Sequence, residues 1–189
     1  MIRVFKDKTS FNSNIYKEIQ LLNQYSFNQY YNDFLREFKR IKDEFPYLKT
    51  NIFPFRNSNR TISLTGYLIP KYIIDQLLIT SEDEAVMHGF KVFVVIPFSF
   101  RKDGVRVFDY NSIINYISIP EKFKHFRRTP EGNIVLCTHH RDKIEEKDPI
   151  LSVLYSAWTL FMEYKRFEST GIFNLKCLSH NYKGSHSIF

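Results

Sequence analysis

Apolar residues recur every third or fourth position between Asn14 and Phe45. Phe27, Tyr30, Tyr31, Phe34, Leu35, Phe38, Ile41 and Phe45 make one stripe, and Lys39, Arg40, Lys42 and Asp43 fall mostly off it. That spacing matches the turn of an α-helix and predicts an amphipathic one, packed by its stripe on a sheet. Pro46 stops it, because proline has no N–H to donate and its ring clashes with the preceding turn. The first ten residues carry no pattern.

Downstream the period shortens to two. Phe53-Pro54-Phe55 reads as a connector. Thr61 to Ile69 sets Ile62 and Leu64 against Ser63 and Thr65, the alternation of a half-buried strand. Tyr72 to Thr80 and Phe90 to Ile96 are rich in β-branched and aromatic residues and read as two more strands. Pro70-Lys71 and the acidic segment Ser81 to Glu84 read as the breaks between them. Pro97 closes the third run, Lys102-Asp103-Gly104 is a turn, and Val105 to Phe108 fits a fourth strand. Asn111 to Pro120 has no clear period. Sequential strands with short connections predict an antiparallel meander.

A second helix opens at Asp148-Pro149, as a cap followed by proline in the first turn. Ile150, Leu151, Leu154, Ala157, Trp158, Phe161 and Tyr164 form its apolar face, and Gly171 suits the left-handed position beyond its end. The order helix, meander, cysteine loop, helix predicts an α+β fold, a sheet packed by an N-terminal and a C-terminal helix. We read residues 1–189 as one domain, with a helical part in 1–60 and the sheet, cysteine loop and second helix in 61–189.

Composition agrees with a globular chain: of 189 residues, 43% are hydrophobic and 25% charged. No apolar run approaches the roughly 20 residues needed to cross a bilayer. The start, M-I-R-V-F-K-D-K, lacks a signal-peptide core. Two cysteines are too few for a disulfide framework. The expectation is a cytoplasmic protein with reduced thiols. The net charge of +7 is spread along the chain rather than gathered in a block, so it favours an acidic protein partner or a solvated surface over nucleic acid.

Candidate chemistry concentrates in F-K-H-F-R-R-T-P-E-G-N-I-V-L-C-T-H-H, Phe123 to His140. A turn signal, Thr129 to Asn133, leads into the apolar run Ile134 to Leu136 and then Cys137. Four readings compete for this thiol. It is a small buried hydrophobe; or it binds zinc, with Cys137-x-His139 joined by Cys177-x-x-His180, although the first spacing is too tight for the usual site. It is half of a hydrolytic Cys/His pair, without a protease signature around it. Or it carries an acyl group as a thioester, which needs an exposed thiol, a donor for the developing oxyanion and a surface for the acyl carrier. Lys124, Arg127, Arg128, His139, His140 and Arg141 would favour the thiolate if they lie close. No Walker loop, G-x-G-x-x-G or G-x-S-x-G is present.

Residues 61–180 resemble the ubiquitin-conjugating enzyme family in its bacterial form, the conjugating-enzyme-like proteins of antiphage cyclic-oligonucleotide (CBASS) operons and related conjugation operons. Three stretches carry the resemblance: His125 through Gly132 leading to Cys137, the helix from Trp158 to Tyr164 continuing to Gly171, and His180 beyond it. The resemblance implies a ubiquitin-conjugating-like fold with Cys137 as the thioester-forming residue. His125 takes roughly the place of the histidine in the family's His-Pro-Asn motif. That motif is missing here, since Phe126-Arg127 follows the histidine, and either Asn133 or a backbone N–H of the cysteine loop is the substitute expected near the oxyanion. Arg127, Arg128, His139 and His140 are the expected partner-binding residues. The implied reaction links the C-terminus of a cyclic-oligonucleotide synthase to a lysine amine of a target protein, with no metal or cofactor. The alternative is a catalytically inactive binding scaffold on the same fold.

Overall fold

The computed structural model describes residues 25–53, 61–97, 100, 104–119, 125–138 and 148–172. Helix α1 spans Tyr25–Glu44 and is followed by strands β1 (Leu48–Phe53) and β2 (Thr61–Leu68). Two short helices, α2 (Lys71–Leu77) and α3 (Glu82–His88), lead into β3 (Phe90–Ile96) and β4 (Arg106–Asp109). A single 3-10 turn (Tyr116–Ser118) precedes the hairpin β5 (Phe126–Arg128) and β6 (Ile134–Leu136), and α4 (Pro149–Thr170) closes the order. The strands form one six-stranded antiparallel sheet in the order β1-β2-β3-β4-β6-β5. The architecture is α+β.

Two expectations are corrected, and strands that the sequence reading did not assign join the sheet. Tyr72 to Thr80 is not a strand: Lys71–Leu77 is helical. Of that helix only Ile74 is buried, so no sheet neighbour was available to turn the β-branched pair Ile73-Ile74 into a strand. Ser81 to Glu84 is not a break but a helix start. The Ser81 side chain accepts from the Glu84 N–H, and the Glu84 carboxylate accepts from the Ser81 N–H, a reciprocal capping box. After the helical part of residues 1–60 comes a strand the sequence reading passed over, Leu48–Phe53, the edge strand β1. The expected meander is present as β1 to β4; the cysteine loop then joins the same sheet as a hairpin, with β6 paired to β4 and β5 at the outer edge. The predicted helical turns before Tyr25 lie outside the described residues.

One face of the sheet is sealed. Ile62, Leu64, Leu68, Phe90, Val92, Val94, Ile96, Val107 and Leu136 alternate onto it and are buried. Helix α4 lies over that face. Phe90 stacks on Phe161 with centroids 4.5 Å apart and meets Trp158 edge-on at 5.3 Å. Leu154, Ala157, Phe161 and Tyr164 are fully buried, and a side chain such as Leu154 or Phe161 contributes about 1.5–3 kcal/mol by leaving water. Phe34 and Ile41 of α1, and Phe45 just beyond it, join the same core. Leu35 does not: it is 40% exposed, so the α1 stripe is narrower than its sequence pattern.

The two long helices meet through polar groups as well. Asp148 stands at the N-cap of α4, yet its side chain makes no capping bond. It pairs with Arg40 of α1 instead. The capping is done from α1: the buried Glu37 carboxylate accepts from the Leu151 N–H at 2.7 Å. A carboxylate there also meets the positive end of the α4 dipole. The Tyr155 hydroxyl donates to Glu44, and burial beside that carboxylate pushes the phenol well above its usual range.

Gly66 makes β1 and β2 possible. It has φ +138, and a Cβ there would lie 2.1 Å from the Tyr47 carbonyl oxygen. Gly66→Ala is therefore expected to lose about 3 kcal/mol, since backbone rather than a flexible side chain must move; urea unfolding of the two proteins measures it. Asp109, buried at the end of β4, gives a pH signature. Burial pushes its carboxyl above the usual range, while the N–H groups of Ile114, Ile113, Asn111 and Ser112 pull the other way, that of Ile114 bonding at 2.7 Å. A carboxyl raised by folding supports the fold fully below its unfolded pKa and loses that support as pH rises through the folded one. The stability of wild type relative to Asp109→Asn should therefore fall between pH 3 and pH 7; a flat or rising difference in denaturant midpoints would refute the assignment.

Candidate functional site

The β5–β6 hairpin brings the cysteine and the histidine together. Thr129 to Asn133 forms its turn: the Thr129 N–H donates to the Asn133 carbonyl at 2.8 Å, and the Gly132 N–H to the Thr129 carbonyl at 2.9 Å. Gly132 has φ +88, a conformation glycine adopts without strain. From that turn the register runs Arg128 to Ile134, Arg127 to Val135 and Phe126 to Leu136. One step further, His125 stands opposite Cys137, and the Cys137 N–H donates to the His125 carbonyl at 2.7 Å. Cross-strand partners share a face of the sheet. His125 is buried and Cys137 is half-buried; its sulfur is a thiol, not part of a disulfide.

The face is the less covered one. Along β6 Ile134, Leu136 and the following Thr138 are buried, whereas Val135 and Cys137 are half-buried. Cys137 therefore points away from the helices, on the side of Phe108 and Arg127. This excludes the reading of Cys137 as a sealed core residue.

On the other side of β6 lies β4, which carries Arg106. Strand β4 pairs with β6 through Val107–Leu136 and Phe108–Val135; the pairing ends there, and Arg106 and Cys137 are the residues that follow its last pair on the two strands, at the same end of the sheet. His125 faces Cys137 across the hairpin, and the exposed Arg106 heads a row on the same face. The row continues through Val95, Ser63 and Asn51. Sequence reading missed Arg106, which lies thirty-one positions before the cysteine, because only strand pairing brings them to one end of the sheet. An arginine close to a cysteine sulfur would favour the thiolate over the thiol.

The other predicted residues fall out differently. Asn133 sits at the turn end of the hairpin, four residues from Cys137 along an extended strand, which is about 13 Å. The structure does not bring it to the sulfur, and its backbone is used in closing the turn. Arg127 and Arg128 are both exposed on the edge strand β5. Arg127 shares the face of Cys137 and Arg128 takes the other. Charged side chains on an edge also discourage pairing with a further strand. His139, His140, Lys124, Arg141, Cys177 and His180 lie outside the described residues, and with them most of the zinc set. Among the described residues no cluster of three or more histidine, cysteine or carboxylate side chains could hold a metal ion, and no helix is long and apolar enough to cross a membrane.

No family model, no curated protein and no solved structure matches this chain. The site accordingly stands on its own geometry: a partly exposed thiol at the open end of a hairpin, opposite a histidine and at the same end of the sheet as a cation. A small thiol reagent should label Cys137 in the native protein without denaturant. At low ionic strength Arg106→Glu should slow that labelling severalfold, and added salt should narrow the difference as charges are screened. Equal rates in both proteins, followed by intact mass, would remove Arg106 from the site.

Proposed function

We propose that this protein transfers acyl groups through a thioester on Cys137, taking the C-terminus of a partner protein and passing it to an amine. One observation supports the reading most: Cys137 is half-buried rather than sealed, on the less covered face, opposite His125 and at the end of the sheet where Arg106 stands. In the first step the thiolate attacks the carbonyl carbon of an activated C-terminal acyl group, the C–S bond forms and the activating group leaves with its electron pair. In the second step an amine attacks the thioester, the amide forms, the thiolate departs and the amine gives up a proton to solvent. Activation of the carboxyl is supplied by another component, since this sequence has no Walker or G-x-G-x-x-G loop. Arg106 stabilises the sulfur anion before the first step and after the second.

The resemblance to bacterial ubiquitin-conjugating-like proteins supplies the partner: a cyclic-oligonucleotide synthase of an antiphage operon as carrier, and a lysine of a target protein as acceptor. The exposed Arg127 and Arg128 offer such a carrier a basic edge beside the thiol. The scaffold reading, a binding module that performs no chemistry, draws on a different observation, the separation of Asn133 from Cys137, which removes one expected oxyanion donor.

Co-expression with the synthase separates the two. Intact mass should show a covalent adduct that thiol reagents cleave, and Cys137→Ala should abolish it, with Cys137→Ser giving a thiol-resistant ester. Defence activity equal in wild type and Cys137→Ala would make the protein a scaffold.

A further inference from the structure

The helical hairpin α2–α3 departs from the rest of the molecule in three respects. The first is exposed apolar surface. Leu77, Leu78, Val86 and Met87 are 47, 79, 46 and 73% exposed, four of the ten large hydrophobics that stand open among the described residues. They lie within eleven positions. Three extended residues and one short helix separate Leu78 from Met87, so they are no more than about 20 Å apart.

The second is strain with no return inside the fold. Leu78 ends α2 in the left-handed conformation, φ 55 and ψ 39, held by its N–H bond to the Ile74 carbonyl. Glycine is the usual residue there, and a side chain at such a position costs about 1 kcal/mol. Leu78 repays nothing by burial. The next residue, Ile79, is buried and bonds back to the same carbonyl, so the turn is rigid and presents the leucine outward.

The third is charge. Between Lys71 and His88 one lysine meets four carboxylates, a formal charge of −3 in a chain of +7. Glu82 is held by Lys49 and Glu84 by the capping box, while Asp75 pairs with Lys71. Asp83 takes part in none of these. The hairpin is therefore an acidic, apolar island on a basic protein.

We infer that the α2–α3 hairpin is a docking surface for a basic, amphipathic helical segment of a partner protein. Leu78 and Met87 are its apolar anchors, and Asp83 meets the partner's lysines and arginines. The positive charge elsewhere repels such a segment and confines it to this island. The surface is separate from the thiol. It grows from the end of β2 at Leu68 and the start of β3 at Phe90, whereas Cys137 lies at the end of the sheet where Arg106 shares a row with Ser63 and Val95, five residues or about 17 Å down the strands. A partner held here leaves Cys137 open.

A synthetic 18-residue leucine–lysine peptide with one apolar face is the probe, with a leucine–glutamate peptide of the same pattern as control. Fluorescence anisotropy with the full chain at low salt should show binding of the lysine peptide only. Leu78→Gly and Met87→Ser should each weaken it by about tenfold or more, as truncated anchors do, and Asp83→Lys severalfold in a salt-dependent manner. Leu78→Gly should also melt at the same temperature as wild type or higher, because it relieves the left-handed strain; this separates a docking residue from a structural one. Equal binding of both peptides, or unchanged affinity in Leu78→Gly and Met87→Ser, would overturn the inference. So would a concentration-dependent dimer of the chain, in light scattering, that Leu78→Gly dissolves, since the occupant would then be a second copy.

Discussion

One face of the sheet is largely buried and the other only in places, at Ser63, Phe93 and His125, and most of the rest follows from that asymmetry. Helix α4 seals a face made of Ile62, Leu64, Val92, Val94, Val107 and Leu136. A strand's side chains alternate, so a one-residue slip in any pairing would exchange this whole set for the less covered one, which mixes Ser63, Thr65, Lys91 and Arg106 with Phe93, Val95, Phe108 and Val135. The hydrophobic cost of such a slip is several buried side chains at once. Register is thereby held on β3, β4 and β6. The same register carries Cys137, Arg106 and His125 to the other face, at one end of the sheet, without any contact between those three being needed to hold them there.

Stability and chemistry are thus divided between the two sides. The covered side contains the aromatic packing of Phe90 against Phe161 and Trp158, and the junction at which Glu37 of α1 caps α4. A charge-assisted bond of that kind is worth about 1.5–3 kcal/mol and leaves a buried orphan if either partner is lost. The junction ties the first long helix to the last and closes the core across most of the chain. The open side retains half-buried Cys137 and exposed Arg106 and Arg127. The α2–α3 hairpin, rooted at the far end of the same strands, adds a second kind of surface, acidic and apolar where the thiol edge is basic.

Much of this was legible from residue patterns. The stripe of Phe34, Phe38 and Ile41, the stop at Pro46, strands β2 and β3, the bounds of α4 at Pro149 and Gly171, and the turn before Ile134 all follow from local periodicity and backbone preference. Two further signals stood in the chain unread. Ser81-x-x-Glu84 is a capping box, and Leu48, Thr50 and Ile52 alternate with Lys49 and Asn51 as a strand should. Both lost to stronger neighbours, a run of β-branched residues before the one and a phenylalanine–proline connector after the other.

What the sequence by itself determined is the class of the fold and most of its elements, because each depends on spacing within one segment. What only the tertiary structure decided is who stands beside whom. Nothing local says that β6 passes inside β5 to reach β4, that Arg106 therefore stands at the same end of the sheet as Cys137, that Asn133 is left at the far turn, or that Glu37 takes over the cap Asp148 was placed to make. Those outcomes are set by hydrogen bonds and buried area between segments far apart in the chain. Many pairings would satisfy each strand alone, and only the shared core selects one.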